Sequence, residues 1–364
     1  MDPLMKDVDE QTRWALAKNP KTLPETLEKL FFDDVEAIRE GVLRNPSVPA
    51  HTLALGVYEP NKEFRKLVAM HRSTSPETLL MLSRDPSEDV RLAVANHRQA
   101  PAGALVVLGG DPEIAIRRVV AGHPNAPLAL LVELASEPIW QIRRAVATNP
   151  SATETVLSKL AADENNSVSS GVGASDVASP RLLEQLSHHH SHTVRHVVAG
   201  NAKLDADSLA RLAGDPEKAV RDRVANNPST PQGVLKAMLK DEWEIRQSLA
   251  QNPALSPLVL LTLAVWDNSL NVRATAQNML VTKPHTYWKE AVDDGSISET
   301  TSWGRGRGRK VLCDAMLAQG LAGLYQQLQS MLLEKQINAL ATSHPIHPIQ
   351  PVGAIAPARQ RMAL

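Results

Sequence analysis

The sequence predicts an all-α chain: a right-handed α-solenoid of about ten 26-residue, two-helix repeats closed by a C-terminal helical cap. Three observations carry that prediction. A polar residue, Asn or His and once Ser, recurs at a fixed interval. Apolar residues recur at helical spacing on both sides of it. Asp and Pro punctuate the chain at the same phase each time.

The recurring polar residue, here called the index, is Asn19, Asn45, His71, His97, His123, Asn149, Ser175, Asn201, Asn227 and Asn252. The interval is 26 eight times and 25 once. Seven residues before it stand apolar residues such as Ile38, Val90, Ile142 and Val220. Three before it stand Val42, Val94, Val146 and Val224. Positions four apart share one face of a helix, so this is the first helix of each repeat. Two before the index is usually Ala, as at Ala69, Ala95 and Ala121, which lets neighbouring helices approach closely. Eight after the index is Leu in all ten repeats, from Leu27 to Leu260. A second apolar position follows three later, as at Leu82 and Leu134, and predicts a second short helix.

The first helix is expected to open at Asp-Pro, as at Asp85-Pro86, Asp111-Pro112 and Asp215-Pro216. Asp would be the N-cap and Pro the first helical residue. It should stop near the index, which is often followed by Pro. A further Pro, such as Pro24, Pro76 or Pro101, opens the second helix. Neither helix is long enough to be stable alone, so the core must form by stacking. The repeats are expected over 1–280, a linker with a Gly/Arg segment over 281–310, a helical region over 311–342, and a Pro-rich disordered tail over 343–364. The helical region carries an apolar stripe, including Leu312, Met316, Leu317, Leu328 and Met331, suited to capping the array or to dimerisation.

At 364 residues the chain exceeds what one globular core usually holds. The net charge of −1 announces neither nucleic acid nor an acidic membrane. It is unevenly spread. Residues 302–364 hold seven Lys/Arg and two Asp/Glu, so the tail is near +5 and the remainder near −6. The lone Cys313 excludes an intrachain disulfide and a cysteine-built metal site. The polar N-terminus does not read as a signal peptide, and the longest apolar stretch, residues 254–266, is too short and too interrupted to span a bilayer. A cytoplasmic location is therefore expected. No catalytic motif occurs, so no catalytic residue, no cofactor and no metal site are expected.

The pattern D-P-x-x-x-V-R-x-x-V-A-x-N-P-x-x-P-x-x-x-L-x-x-L-A, repeated over roughly residues 7–280, resembles the leucine-rich repeat variant family and is similar to HEAT-like repeats. The resemblance implies a solenoid that serves as a binding scaffold. Two departures stand out. Some members carry a cysteine-ligated iron–sulfur cluster ahead of their repeats, and this chain lacks the cysteines. Family repeats are often shorter and alternate α- with 3₁₀-helix, whereas a second helix here has room to be fully α.

Six before the index is an Arg in nearly every repeat: Arg39, Arg65, Arg91, Arg117, Arg143, Arg195 and Arg221 among them. Six before most of these is an acid, as at Asp85, Asp111 and Asp215. An arginine row can track a phosphate backbone. A ladder of Asp–Arg pairs between successive repeats is the preferred reading, because a phosphate stripe would not be neutralised by a matching acid. The index histidines are expected to do the turn-capping work of the Asn they replace. Repeat 7 lacks the Arg (Ser169) and the Asn (Ser175) and carries Gly171 and Gly173, which suggests a soft joint over 163–180. His192 and His196, four apart, could chelate a metal only with a ligand from elsewhere.

A solenoid specialises through its variable columns. Nine before the index the residue is usually polar but is Ile114, Trp140 and Trp243 in three repeats. Four further on, the same face carries Arg118, Arg144 and His196. A Trp beside an Arg resembles an interface hot spot, and Trp140 and Arg144 could form a cation–π pair. The expected function is a non-enzymatic scaffold or adaptor binding a protein or peptide through Ile114, Arg118, Trp140, Arg144, His192, His196 and Trp243. The alternative is a nucleic-acid-binding HEAT-like solenoid, related to DNA-repair proteins of that type and using basic residues and the Gly/Arg tail.

Overall fold

The computed structural model describes residues 8–298, 300–303 and 310–343. It divides into two compact units, Met1–Val234 and Leu235–Leu364. The Gly/Arg residues 304–309 and the tail from 344 onward lie outside the described residues.

The N-terminal unit is an α-solenoid. Repeat 4 shows the pattern, with a first helix at Glu88–Ala95 and a second at Ala102–Gly109. Successive first helices pack against one another along the unit, and each second helix packs on the first helix that follows it. The sequence columns explain the stacking. The ten Leu residues eight after the index all have no measurable exposure. Val42, Val68, Val94, Val146, Val172, Val198 and Val224 are equally buried. Truncating one such Leu to Ala removes burial that no local rearrangement restores, at a cost of about 2–5 kcal/mol. Most second helices are α-helical throughout, but Ala50–Leu55 and Gln232–Ala237 each continue as a 3₁₀ turn.

The Asp of Asp-Pro is not the N-cap. The first helix of repeat 4 is capped at Ser87 and that of repeat 5 at Glu113, two residues past Asp85 and Asp111. Asp85 Oδ1 instead accepts the N–H of Ser87 at 2.9 Å, and Asp111 Oδ1 that of Glu113 at 2.9 Å. This Asx turn holds the carboxylate beside the helix start, leaving its other oxygen for a neighbouring repeat.

Repeat 7 is not a broken joint. Its first helix, Asn166–Gly173, is continuous and eight residues long, with Gly171 and Gly173 buried. A Cβ on Gly171 would lie 3.1 Å from Ala147 Cβ, and one on Gly173 would lie 2.7 Å from Val198 Cγ2. The glycines serve close approach to both neighbouring helices.

The C-terminal unit holds the helices Trp243–Gln251, Pro257–Trp266, Leu270–Thr282, His285–Asp293, Leu312–Ala318 and Ala322–Ser343. Residues 302–303 and 310–311 form a two-residue antiparallel pair, Ser302 opposite Val311. The helix His285–Asp293 falls within the expected linker and buries Trp288 and Val292. The long last helix packs on it, and Lys335 Nζ donates to the carbonyls of Val292 (2.7 Å) and Asp293 (3.0 Å). Leu312, Met316, Leu328 and Met331 of the apolar stripe are buried, whereas Leu317 is exposed. Among the described residues no helix is long and apolar enough to cross a membrane.

Candidate functional site

Two polar ladders tie the repeats together beneath the exposed surface. In the first, the Asn and His index side chains from Asn45 to Asn149, and again Asn201 and Asn227, reach back to the previous repeat. Asn45 Nδ2 donates to the carbonyls of Ala17 (2.7 Å) and Asn19 (2.9 Å). His71, His97 and His123 reach the carbonyls of Asn45, His71 and His97 through Nε2 at 3.0–3.1 Å. Asn149 resumes the amide form on Ala121 and His123. The other side-chain atom accepts the N–H two residues on, as Nδ1 of His97 does from Gln99 at 3.1 Å. A carbonyl only accepts, so Nε2 carries the proton and the neutral ring is the form that fits.

The second ladder joins Arg side chains to the acid twenty or twenty-one residues on, in the following repeat. Nε and Nη2 of Arg65 contact Asp85 at 2.6 and 3.0 Å, and those of Arg91 contact Asp111 at 2.6 and 3.1 Å. Arg143–Asp163, Arg195–Asp215 and Arg246–Asp267 repeat the fork. Arg117 makes a single contact to Glu137 at 3.1 Å. The acid six residues before each Arg contributes its backbone instead: Arg91 Nη1 donates to the carbonyl of Asp85 at 3.0 Å. Burial pulls the Asp85 and Asp111 carboxyls up, but the arginine and the turn N–H outweigh it and hold them below the usual carboxylate value. Arg39 lies over the Phe64 ring, 5.4 Å from its centroid, while Nη1 donates to the carbonyl of Asp33. Arg221 donates to the carbonyls of Asp215 and Pro216.

Both ladders change at repeat 7. Ser169 is buried and, being short, reaches only the carbonyl of its own Asp163 at 3.4 Å. Its would-be partner is His189, whose Nδ1 accepts the Ser191 N–H as an Asp would. Burial, helped by the charges of His190 and Arg195, keeps that ring below the ordinary imidazole value. Ser175 accepts only within its own turn. Where polar links are missing, Gly171 and Gly173 let the helix sit directly against its neighbours.

Above the ladders the first helices form three adjoining depressions of about 680, 690 and 470 Å³. The first is lined by Lys66, Met70, Arg72, Asp89, Leu92 and Arg98 among others. The second is lined by Arg118, Val119, Trp140, Arg144 and Ala145, and shares Asn96 with the first. The third is lined by Arg144, His192, His196 and Val197, so Arg144 joins it to the second.

Residues 88–113 match the model of the family described as leucine rich repeat variant. The match spans one of the repeats. No curated protein matches the chain. Among solved structures, one described as a leucine-rich repeat variant with a novel repetitive structural motif is 24% identical, at a TM-score of 0.45 over 60% of this chain and 87% of that one. An engineered protein is 15% identical at a TM-score of 0.13, over 85% of this chain and 96% of that one. A designed armadillo repeat protein in complex with the peptide (KR)4 is 15% identical at 0.12, over 77% and 94%.

Five of the seven sequence-selected contact residues line the groove: Arg118, Trp140, Arg144, His192 and His196. Ile114 is exposed but does not line it. Trp243 is exposed and belongs to the C-terminal unit. Trp140 is half-buried, and it forms no cation–π contact with Arg144. Arg144 is exposed in the last turn of its helix. His196 Nδ1 lies 2.9 Å from the carbonyl of Ala219. Among the described residues no group of three His, Cys, Asp or Glu side chains could hold a metal ion.

Two groove residues escaped the sequence reading: Arg72 and Arg98, both exposed. Their signal is plain in retrospect. The residue after the index is Pro in six repeats, but the Asn-Pro pair becomes His71-Arg72 and His97-Arg98 in repeats 3 and 4.

Proposed function

We propose that the chain is a non-enzymatic adaptor or scaffold whose N-terminal unit docks a protein or peptide segment along the groove of the first helices. One observation carries this reading. The recurring arginines are held by ladder contacts below the surface, while the variable columns put Trp140, Arg118 and Arg144 on the walls of the groove. An aromatic and an arginine beside apolar surface is the composition that dominates binding energy at interfaces. The ionisable groups that recur do so as structural pairs, and among the described residues no acid–base set converges on a cleft. We place the protein in the cytoplasm.

Selecting binders from a random-sequence peptide library against the full chain tests the reading. Peptides that bind the wild type and lose binding to Trp140→Ala/Arg144→Ala, with the thermal midpoint unchanged, support it. Binding that ignores the double substitution places the docking site elsewhere and removes the groove from the function. The exposed arginines also suit phosphate, which makes single-stranded nucleic acid the second reading.

A further inference from the structure

We propose that the groove over repeats 3 to 6 recognises an acidic, extended peptide segment, with Arg72, Arg98, Arg118 and Arg144 as its carboxylate receptors. This rests on the docking reading above and names the chemistry of the partner. The first observation is the division of the arginines into two classes. The ladder arginines are mostly buried and bonded to acids or carbonyls. Arg72, Arg98, Arg118 and Arg144 are exposed, and among the described residues no carboxylate contacts any of their guanidinium groups. They stand in columns that the repeat does not need: Pro usually occupies the position of Arg72 and Arg98, and Glu40, Leu92, Ser170 and Asp222 occupy that of Arg118 and Arg144 in other repeats.

The second observation is charge. Lys66, Arg72, Arg98, Arg118 and Arg144 line the three depressions with Asp89 as the one carboxylate, giving five positive charges against one and a balance of +4. Asp89 is itself held by Lys62 at 2.8 Å. This basic strip lies on an array whose 301 residues before the tail carry about −6 by the count of Lys/Arg against Asp/Glu. Concentrating like charges against the trend of the molecule raises its self-energy, and an anionic partner relieves it.

The third observation is spacing. Packed helices lie about 8–10 Å apart, so Arg72 and Arg98, and likewise Arg118 and Arg144, advance by one such step. An extended or polyproline-II peptide rises about 3.1–3.4 Å per residue, so three residues cover one repeat. Acidic side chains at every third position therefore meet successive arginines, where the guanidinium fork donates two parallel bonds to a carboxylate. Met70, Leu92, Val119 and Ala145 offer apolar contact to the residues between. A nucleic acid fits less well: successive bases need successive aromatic faces, and Trp140 is the one aromatic lining these depressions besides histidines.

Fluorescence anisotropy on the full chain decides it, with three labelled probes: a peptide of roughly twelve residues with Glu at every third position and Leu or Ala between, its Gln counterpart, and an oligothymidine of similar length. The Glu peptide is expected to bind at least about tenfold more tightly than the Gln peptide, with affinity falling as salt rises. Arg118→Glu/Arg144→Glu should lose at least about tenfold, whereas Arg84→Glu/Arg181→Glu, an equal charge change at exposed sites off the groove, should not. Equal binding of Glu and Gln peptides, equal loss in both variants, or tighter binding of the oligothymidine overturns the proposal. Library peptides that lack acids yet depend on Trp140 and Arg144 would overturn the acidic partner and leave the docking reading standing. No groove-dependent peptide from either source would overturn both.

Discussion

Nε2 of His97 lies 3.1 Å from the carbonyl of His71, and Nδ1 of the same ring accepts the Gln99 N–H at 3.1 Å. His71 and His123 repeat the arrangement, so three consecutive joints depend on neutral imidazoles. A proton on Nδ1 would face an N–H. Burial, opposed by the carbonyl contact and aided by neighbouring positive charge, holds His71 and His123 below the ordinary value of 6.5. The unfolded chain therefore takes up these protons first as pH falls. The stability they confer is complete above about 6.5 and declines as pH drops toward the lower folded values. The thermal midpoint should fall between about pH 7 and 5, and His71→Asn/His123→Asn should flatten that fall. A slope unchanged in the double variant would move the acid sensitivity elsewhere. The ladder carboxylates act in a separate window, below about pH 3.8, because their folded values are depressed.

Arg91 and Asp111 form a forked rung, at 2.6 and 3.1 Å with the Asp side chain nearly buried. Arg91→Ala leaves that carboxylate with only the Glu113 N–H and should cost about 3 kcal/mol. Asp111→Ala leaves Arg91 its carbonyl contacts to Asp85 and Pro86 and should cost less. The double substitution should cost less than the sum, measured as a double-mutant cycle in urea. Strict additivity would mean the pair contributes nothing beyond packing.

Repeat 7 allows the reverse experiment. Ser169→Arg alone places a guanidinium opposite His189 and should destabilise by about 2 kcal/mol. Adding His189→Asp rebuilds the missing rung and should recover at least about 1 kcal/mol. Thermal melts of the two singles and the double measure the coupling, whose sign is the test.

The same repeat separates helix propensity from packing. Gly173→Ala gains about 1 kcal/mol of propensity but forces a Cβ to within 2.7 Å of Val198 Cγ2, and the net effect should be a loss of about 1–2 kcal/mol. Gly122→Ala meets nothing within 4 Å and should stabilise by about 0.4–1 kcal/mol. Chemical denaturation of both variants should show opposite signs. If both stabilise, the close approach at Gly173 relaxes without penalty.

Periodic positions were legible because each has one physical task repeated in every copy. Leu27 through Leu260 fill the same hole ten times, and the arginine column announced a ladder. What sequence spacing could not supply was direction. Asp85 stands six residues from Arg91 and is its backbone acceptor, while its carboxylate serves Arg65 of the preceding repeat. Asp85-Pro86 resembled an N-cap because an Asx turn uses the same residue types two positions earlier. Gly171 and Gly173 read as softness because glycine in isolation signals backbone freedom; only the neighbours, Ala147 and Val198, reveal a steric demand. Trp140 and Arg144 stood out as departures from a column. Arg72 and Arg98 did not, because the interruption of Asn-Pro was read for its histidines alone.

Every rung of the arginine ladder has one foot in each of two successive repeats. Away from the Ser169–His189 seam, tandem duplication or loss of a 26-residue cassette between two Arg–Asp rungs leaves each donor still facing an acceptor. A point change does not, since its remedy must arise in a different copy. Ser169 and His189 are such a pair, twenty residues apart and lying on opposite sides of one seam. The heritable unit of this architecture is therefore the seam between copies, and the array can lengthen or shorten freely while each seam stays matched.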